Sequence, residues 1–308
     1  MKTPLYDTLA LIGVGLIGSS IARAARAQRA VRQIVATARS AKTKKRVAEL
    51  GIADKVVETN AEAVTGADLV IVCIPVGVCG AVAKEIGPHL KPGATVSDVG
   101  SVKSSVIRDM GAHLPKTVHF VPAHPVAGTE HSGPDAGFAE LFDGRWCILT
   151  PPEGTDAEAV DRLAAFWRLI GAKVEIMSAE HHDLVLAITS HVPHLIAYNI
   201  VGTAADMEEV TQSEVIKFSA GGFRDFTRIA ASDPVMWRDV FLNNKEAVLE
   251  MLARFSEDLA ALQRMIRWDD GPALEALFTR TRAIRRGIIE AGQDTDAADF
   301  GRPHGHDD

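Results

Sequence analysis

Three stretches of the chain hold the residue types that move protons and bind anions. Residues 121–133 (VPAHPVAGTEHSG) place His124, Thr129, Glu130 and His131 among two prolines and two glycines. That density of polar groups and backbone punctuation is expected of a site carried on a loop. Residues 181–194 hold His181-His182-Asp183 and then Ser190-His191-Val192-Pro193-His194. His191 and His194 are three apart and share a helix face. His182 and His191 are nine apart and lie on opposite sides of a straight helix. Pro193 is expected to kink that helix and turn His191 and His194 towards the preceding domain. Residues 221–230 (GGFRDFTRIA) carry Arg224, Asp225 and Arg228, with Trp237 and Asn244 following. Arg224 and Asp225 read equally well as an internal ion pair. Arg228, at the apolar end of its segment, suits a half-buried cation for an anionic ligand. Neutral imidazoles accept protons near pH 7, and a planar guanidinium fits a carboxylate. The chemistry in view is therefore acid–base work on a small anion. No metal site is expected, because no cysteine or close carboxylate pair completes a ligand set around the histidines.

Those residues need a scaffold, and the sequence supplies one. An apolar run at 8–12 leads into Gly13-Val14-Gly15-Leu16-Ile17-Gly18 and then a helical pattern to about residue 29. Strand, G-x-G-x-x-G and helix in that order form a dinucleotide-binding fingerprint. The first glycine allows the tight turn, the second lets the backbone approach a pyrophosphate, and the third lets helix and strand pack closely. Further apolar runs at 33–38, 68–74, 95–99, 118–121, 146–149 and 174–176 alternate with helical segments. They predict a Rossmann-type doubly wound α/β sheet. Ligands of such sheets lie outside the carboxyl ends of the strands, so Pro75, Gly100-Ser101 and Ala123-His124 are expected along one crevice. Ser101 also reads as an N-cap for the helix after Gly100.

About twenty residues past the glycines, an NAD-binding chain usually places an acid. Here the second strand ends in Ala38-Arg39-Ser40. A guanidinium suits a ribose 2′-phosphate, so NADP is favoured over NAD, although Arg39 stacked on the adenine is the alternative. Lys42, Lys44 and Lys45 also read as the solvated face of the next helix.

After residue 176 the alternation stops. Ser178 is expected to cap the first of several helices, 235–267 and 272–289 being the last two. The domains are thus 1–177 (dinucleotide-binding), 178–291 (all-helical) and a polar, Gly/Asp-rich tail at 292–308, expected to be disordered and containing His304 and His306. The net charge of −7 excludes a nucleic-acid binder or membrane-surface protein. Three scattered cysteines fit a reducing cytoplasm. Arg23 and Arg26 argue against reading the N-terminal apolar run as a signal peptide. No other apolar stretch is expected to reach the ~18 residues of a membrane span.

Together GVGLIG, DVGSVK, HPVAGTEHSG, HHD…SHVPH and GGFRDFTRIA, in that order from Gly13 to about Trp237, resemble the prephenate/arogenate (cyclohexadienyl) dehydrogenase family of tyrosine biosynthesis. The resemblance implies a Rossmann domain followed by a helical dimerisation domain, and hence a homodimer. It implies NAD(P)-dependent oxidative decarboxylation of prephenate or arogenate. His124 matches the family's catalytic histidine and Ser101 a serine contacting both hydroxyl and nicotinamide. Arg228, His191, His194, Thr129, Glu130 and Trp237 match substrate-pocket positions, and His182 a supporting one. Gly13, Gly15, Leu16, Ile17, Gly18, Arg39, Ser40, Ile74, Pro75 and Ser101 fall where the cofactor is held. Asp183 and Asp225 are expected to form ion pairs or steer Arg228. Two rivals are a β-hydroxyacid dehydrogenase and a non-catalytic NADP-binding sensor. The first needs a lysine on the interdomain helix, and residues 178–201 contain none. The second is disfavoured by intact Ser101, His124 and Arg228.

Overall fold

The computed structural model describes residues 4–129, 131–207, 217 and 220–290. Glu130 and the tail at 292–308, with its two histidines, lie outside them. By internal contacts, residues to Leu249 form one compact unit and Glu250 opens a second.

In the first unit, six parallel strands alternate with helices. They are β1 (Tyr6–Ile12), β2 (Val31–Thr37), β3 (Lys55–Val56), β4 (Leu69–Val72), β5 (Thr95–Asp98) and β6 (His119–Phe120). The helices are α1 (Leu16–Ala27), α2 (Ala41–Glu49), α3 (Asn60–Val64), α4 (Cys79–Ile86) and α5 (Ser104–Gly111). The strand order β3-β2-β1-β4-β5-β6 is that of a dinucleotide-binding sheet, with its switch point between β1 and β4. Both faces are covered, as the near-continuous apolar strands require. Leu9 and Leu11 of β1 point into one core with Phe142, Phe166 and Trp167, while Ala10 and Ile12 point into the other with Ile86, Val106 and Met110.

Two expectations are corrected here. Residues 121–133 are not one loop, because Ala123–Pro125 form a strand, β7. Nor do the runs near 146 and 174 join the parallel sheet. β8 (Trp146–Leu149) pairs antiparallel with β7 and parallel with β9 (Lys173–Ile176), making a separate three-stranded sheet with α6 (Ala157–Leu169) between β8 and β9. The prolines that suggested a loop are tolerated because β7 is an edge strand, where a missing N–H costs no ladder bond.

Beyond Ile176, no strand occurs among the described residues. Ser178 caps α7 (Ala179–Leu186), accepting from the His181 N–H. A π-helical turn, Ala187–His191, joins it to α8 (Val192–Asp206). The whole run Ala179–Asp206 is long and apolar enough by length and composition to cross a membrane, contrary to the sequence expectation. Its inner side, however, buries His182, Asp183 and His191 against protein. Next come α9 (Gly221–Thr227), α10 (Pro234–Asn243) and α11 (Lys245–Arg267), the last passing into the second unit. Read as one helix from the sequence, 235–267 breaks at Asn244 (φ −115°, ψ 35°). The second unit contains α12 (Gly271–Glu290).

Candidate active site

The glycine turn meets each steric demand of a dinucleotide. Gly13 has φ +87°, and a Cβ there would stand 2.5 Å from the Cys73 carbonyl oxygen. A Cβ on Gly18 would strike the Gly13 carbonyl oxygen, so α1 packs directly on the turn. Gly15, by contrast, has nothing within 4 Å of where its Cβ would be. That open position precedes Leu16 and Ile17, whose helix has no side-chain N-cap and no acid in its first turn. Unpaired N–H groups and the positive end of the helix dipole are thus left for a phosphate. Ile74 packs against the same turn, and Pro75 opens the short helical turn after β4. Arg39 is exposed at the end of β2. The Ser40 hydroxyl caps α2 by accepting from Thr43 N at 3.0 Å. Lys45 is exposed and pairs with Glu49 as a solvated-face residue does, whereas Lys44 is largely covered and pairs with Glu58.

At the ends of β5 and β7 a chain of hydrogen bonds runs inward. His124 Nδ1 lies 2.8 Å from His182 Nε2, and His182 Nδ1 lies 2.9 Å from Asp183 Oδ1. Asp183 also accepts from the backbone N–H groups of Lys103 (2.8 Å) and Ser104 (2.9 Å). Burial alone would raise the Asp183 carboxyl, but the hydrogen bonds from His182 and from the start of α5 outweigh it and hold the group below the usual carboxylate range. Burial lowers His182, and Lys103 adds to this against the opposing pull of Asp183, so the contact joins a carboxylate to a neutral imidazole. Burial, with His182, Lys103 and His191 nearby, holds His124 well below the ordinary histidine range.

These partners fix the proton positions. An ionised carboxylate only accepts, so His182 carries its proton on Nδ1. Its Nε2 is then an acceptor, so His124 must donate from Nδ1. His124 Nε2 keeps a lone pair, the state a general base requires.

A buried ion pair anchors β7, and with it His124. Lys103 Nζ contacts Asp98 Oδ2 at 2.5 Å and donates to the Ala123 carbonyl at 2.7 Å, while Asp98 accepts from the N–H of Ala123 and of Gly100. Neither side chain is exposed.

His191 and His194 reach the same region, but not through a simple proline kink. The π turn ends at His191, and Pro193 follows as the second residue of α8, directly after that irregular turn. A π turn adds a residue to the helical repeat. It removes about 100° of the angular separation between His182 and His191, so residues on opposite sides of a straight helix converge. His194 donates Nδ1–H to the Ser190 carbonyl at 2.8 Å and stacks on Trp237 at 3.7 Å between ring centres. Burial lowers its pKa, and the nearby Arg228 guanidinium lowers it further. Arg228 is half-buried, as expected, on the helical turn after α9.

Ser101 and Asp183 depart from their expected partners. Ser101 does not cap α5, because Asp183 takes that role from α7. Asp183 therefore serves His182 and α5 rather than an ion pair with Arg228. Asp225 lies 3.6 Å from Arg224, the bland reading of that pair. Thr129 is exposed, and its hydroxyl accepts from His131 N within its own loop. It lines a cleft with Val126, Phe138, Glu140 and Arg145, and among the described residues no hydrogen bond links it to His124, His182, His191 or His194. Asp98, Lys103 and Asn244 received no role from the sequence. The signal for Lys103 was present, as a lysine within the DVGSVK motif, a segment dominated by its glycine and serine.

Family models of prephenate dehydrogenase match the chain twice: the nucleotide-binding domain over residues 21–176 and the dimerization domain over 178–280. The chain is 43% identical to the cyclohexadienyl dehydrogenase of Zymomonas mobilis, covering 92% of this chain and 97% of that protein. It is 33% identical to the prephenate dehydrogenase of Bacillus subtilis, covering 92% and 76% respectively. Among solved structures, it is similar to the prephenate dehydrogenase of Aquifex aeolicus in complex with hydroxyphenyl propionate and NAD+ (TM-score 0.86, 33% identity, covering 94% of this chain and 99% of that one). The Synechocystis arogenate dehydrogenase is also similar (TM-score 0.78, 26% identity, 91% and 99% covered).

Proposed function

The chain belongs to the prephenate dehydrogenase family, and from that premise we propose that it oxidises and decarboxylates prephenate, with His124 as the base. Arogenate, which carries an ammonium in place of the side-chain keto group, is the alternative substrate. The observation that carries the reading is the chain from Asp183 through His182 to His124, which leaves a neutral imidazole with its lone pair on Nε2.

NAD(P)+ supplies the hydride acceptor when bound. As hydride leaves C4 of the substrate, His124 Nε2 takes the proton of the C4 hydroxyl. The resulting imidazolium is hydrogen-bonded through His182 to the Asp183 carboxylate, an arrangement that stabilises charge only as it develops. The ring carboxylate then departs as CO2. Its bonding electrons aromatise the ring and settle on the former hydroxyl oxygen, which recovers the proton from His124. Because aromatisation drives the reaction, the protein chiefly orients the groups and clamps the anion. Arg228, His191, His194 and Trp237 bind the substrate carboxylates and side chain, Ser101 orients the hydroxyl, and Thr129 and Glu130 stand at the pocket wall.

Gly13, Gly15, Leu16, Ile17 and Gly18 hold the pyrophosphate, with Ile74, Pro75 and Ser101 beside the nicotinamide. Arg39, with no acid at the end of β2, supports NADP as the preferred dinucleotide, with Ser40 beside it. Residues 1–177 form the dinucleotide-binding domain and 178–291 the substrate and dimerisation domain. The exposed Leu184, Ile188, Ile200 and Val201 on the long helical run supply an apolar surface for a homodimer. Three free cysteines accord with the cytoplasm.

The test is purified protein assayed with prephenate and with arogenate, each against NAD+ and NADP+, by reduced-cofactor absorbance. Turnover of prephenate, faster with NADP+, is expected. No turnover in any of the four mixtures overturns the reading.

A further inference from the structure

His191 does not share the tautomer of His124, and the reason lies in a residue outside the family motifs. Asn244 interrupts the helix between α10 and α11, so its side chain is free to turn inward, where it is buried. Its Nδ2 donates to the Asp183 carbonyl at 2.8 Å and lies 3.1 Å from His191 Nδ1. The amide orientation follows from chemistry. A carbonyl only accepts, so the group facing Asp183 must be the NH2. The second proton of that NH2 then meets His191 Nδ1, which must be the unprotonated nitrogen.

We infer that Asn244 is a positioning residue that holds His191 as the neutral Nε2–H tautomer, so that His191 presents a hydrogen-bond donor to a substrate oxygen. The two buried histidines are thereby set in opposite senses. His124 keeps a lone pair on Nε2 and takes a proton, while His191 keeps a proton on Nε2 and offers it. His191 Nε2 is buried and makes no hydrogen bond of normal geometry, although a Ser101 backbone acceptor beside the ring favours a proton there against the larger lowering by burial. A donor at that place suits a carboxylate or keto oxygen of a substrate seated near Ser101. Being neutral, it binds such an oxygen without the desolvation cost of a buried cation. One side chain also joins two parts of the site, since the Asn244 amide grips Asp183, whose carboxylate orients His182.

The role assigned to His191 rests on the reaction proposed above, but the tautomer does not, and the test separates them. In protein with isotope-labelled histidine, a long-range nitrogen–proton correlation spectrum at neutral pH distinguishes Nδ1–H, Nε2–H and the cation. The His191 signals are identified by their loss in His191→Gln. Wild-type His191 is expected as Nε2–H. In Asn244→Asp the carboxylate accepts instead of donating, so His191 is expected to carry a proton on Nδ1. KM for prephenate should then rise about tenfold or more, with a smaller change in kcat. An Nδ1–H or cationic His191 in the wild type overturns the inference, and so does an unchanged Nε2–H in Asn244→Asp. If that variant does not fold, the wild-type spectrum alone decides. Absence of turnover beside an Nε2–H signal would count against the proposed reaction and leave Asn244's role standing.

Discussion

Asp183→Asn isolates what the buried carboxylate contributes. Oδ1 accepts from His182 Nδ1 and from Lys103 N, while Oδ2 accepts from Ser104 N. An amide has one acceptor oxygen, so its NH2 must face a donor whichever way it turns. If the oxygen stays at Oδ1, the NH2 opposes the Ser104 N–H and the start of α5 loses its cap. If the amide flips, the NH2 opposes the Lys103 N–H and also faces His182 Nδ1. His182 would then have to move its proton to Nε2, and His124 would lose its Nε2 lone pair. Either orientation leaves a buried backbone donor unsatisfied, at a cost of about 1–3 kcal/mol. In both, the charge that stabilises the His124 imidazolium is gone. A hydrogen bond to a charged group contributes about 1.5–3 kcal/mol, which corresponds to a loss in kcat of about tenfold to a hundredfold. Stopped-flow or steady-state measurement of reduced cofactor, with denaturant unfolding of the same preparation, reads both effects. The cofactor KM should move less than kcat, because none of the Asp183 hydrogen bonds reaches the glycine turn. A variant that loses stability but keeps wild-type kcat would refute the relay and reduce Asp183 to a helix cap.

Other perturbations separate fold from function. Gly15→Ala should leave the thermal midpoint nearly unchanged, given open space and φ −90°, while raising KM for the dinucleotide. Gly13→Ala should lower the midpoint, because φ +87° and the Cys73 carbonyl both oppose a side chain. Lys103→Met leaves Asp98 buried and unpaired, so unfolding free energy should fall by about 3–5 kcal/mol in urea titration. Acid should destabilise the fold. His124, His182, His191 and His194 all have pKa values depressed in the native state, so their contribution is complete above about 6.5 and is lost as pH falls. Burial pushes His191 down to about 4, a window that alone amounts to on the order of 3 kcal/mol. Denaturant titrations across that window check it, and a flat profile would contradict the burial assigned to these rings.

Much of this was legible in the sequence, for physical reasons. β1, α1 and their glycines are local, since turn geometry and apolar periodicity lie within one stretch. The Ser178 cap and the half-burial of Arg228 were legible in the same way. What failed was non-local. Apolar runs near 146 and 174 announce strands but not which sheet they join, and β7 is recognised only through β8. Ser101 looked like a cap because the true cap, Asp183, lies 79 residues from Ser104 in sequence. The convergence of His182 with His191 depends on a π turn, and the role of Asn244 on a helix break. Neither interruption leaves a reliable pattern in residue types.

The central claim is that His124 takes the substrate proton. Turnover of His124→Asn with saturating prephenate and cofactor tests it most directly. The account predicts a fall in kcat of about 10²- to 10⁴-fold with substrate KM little altered. Near-normal kcat in a folded His124→Asn protein would contradict it.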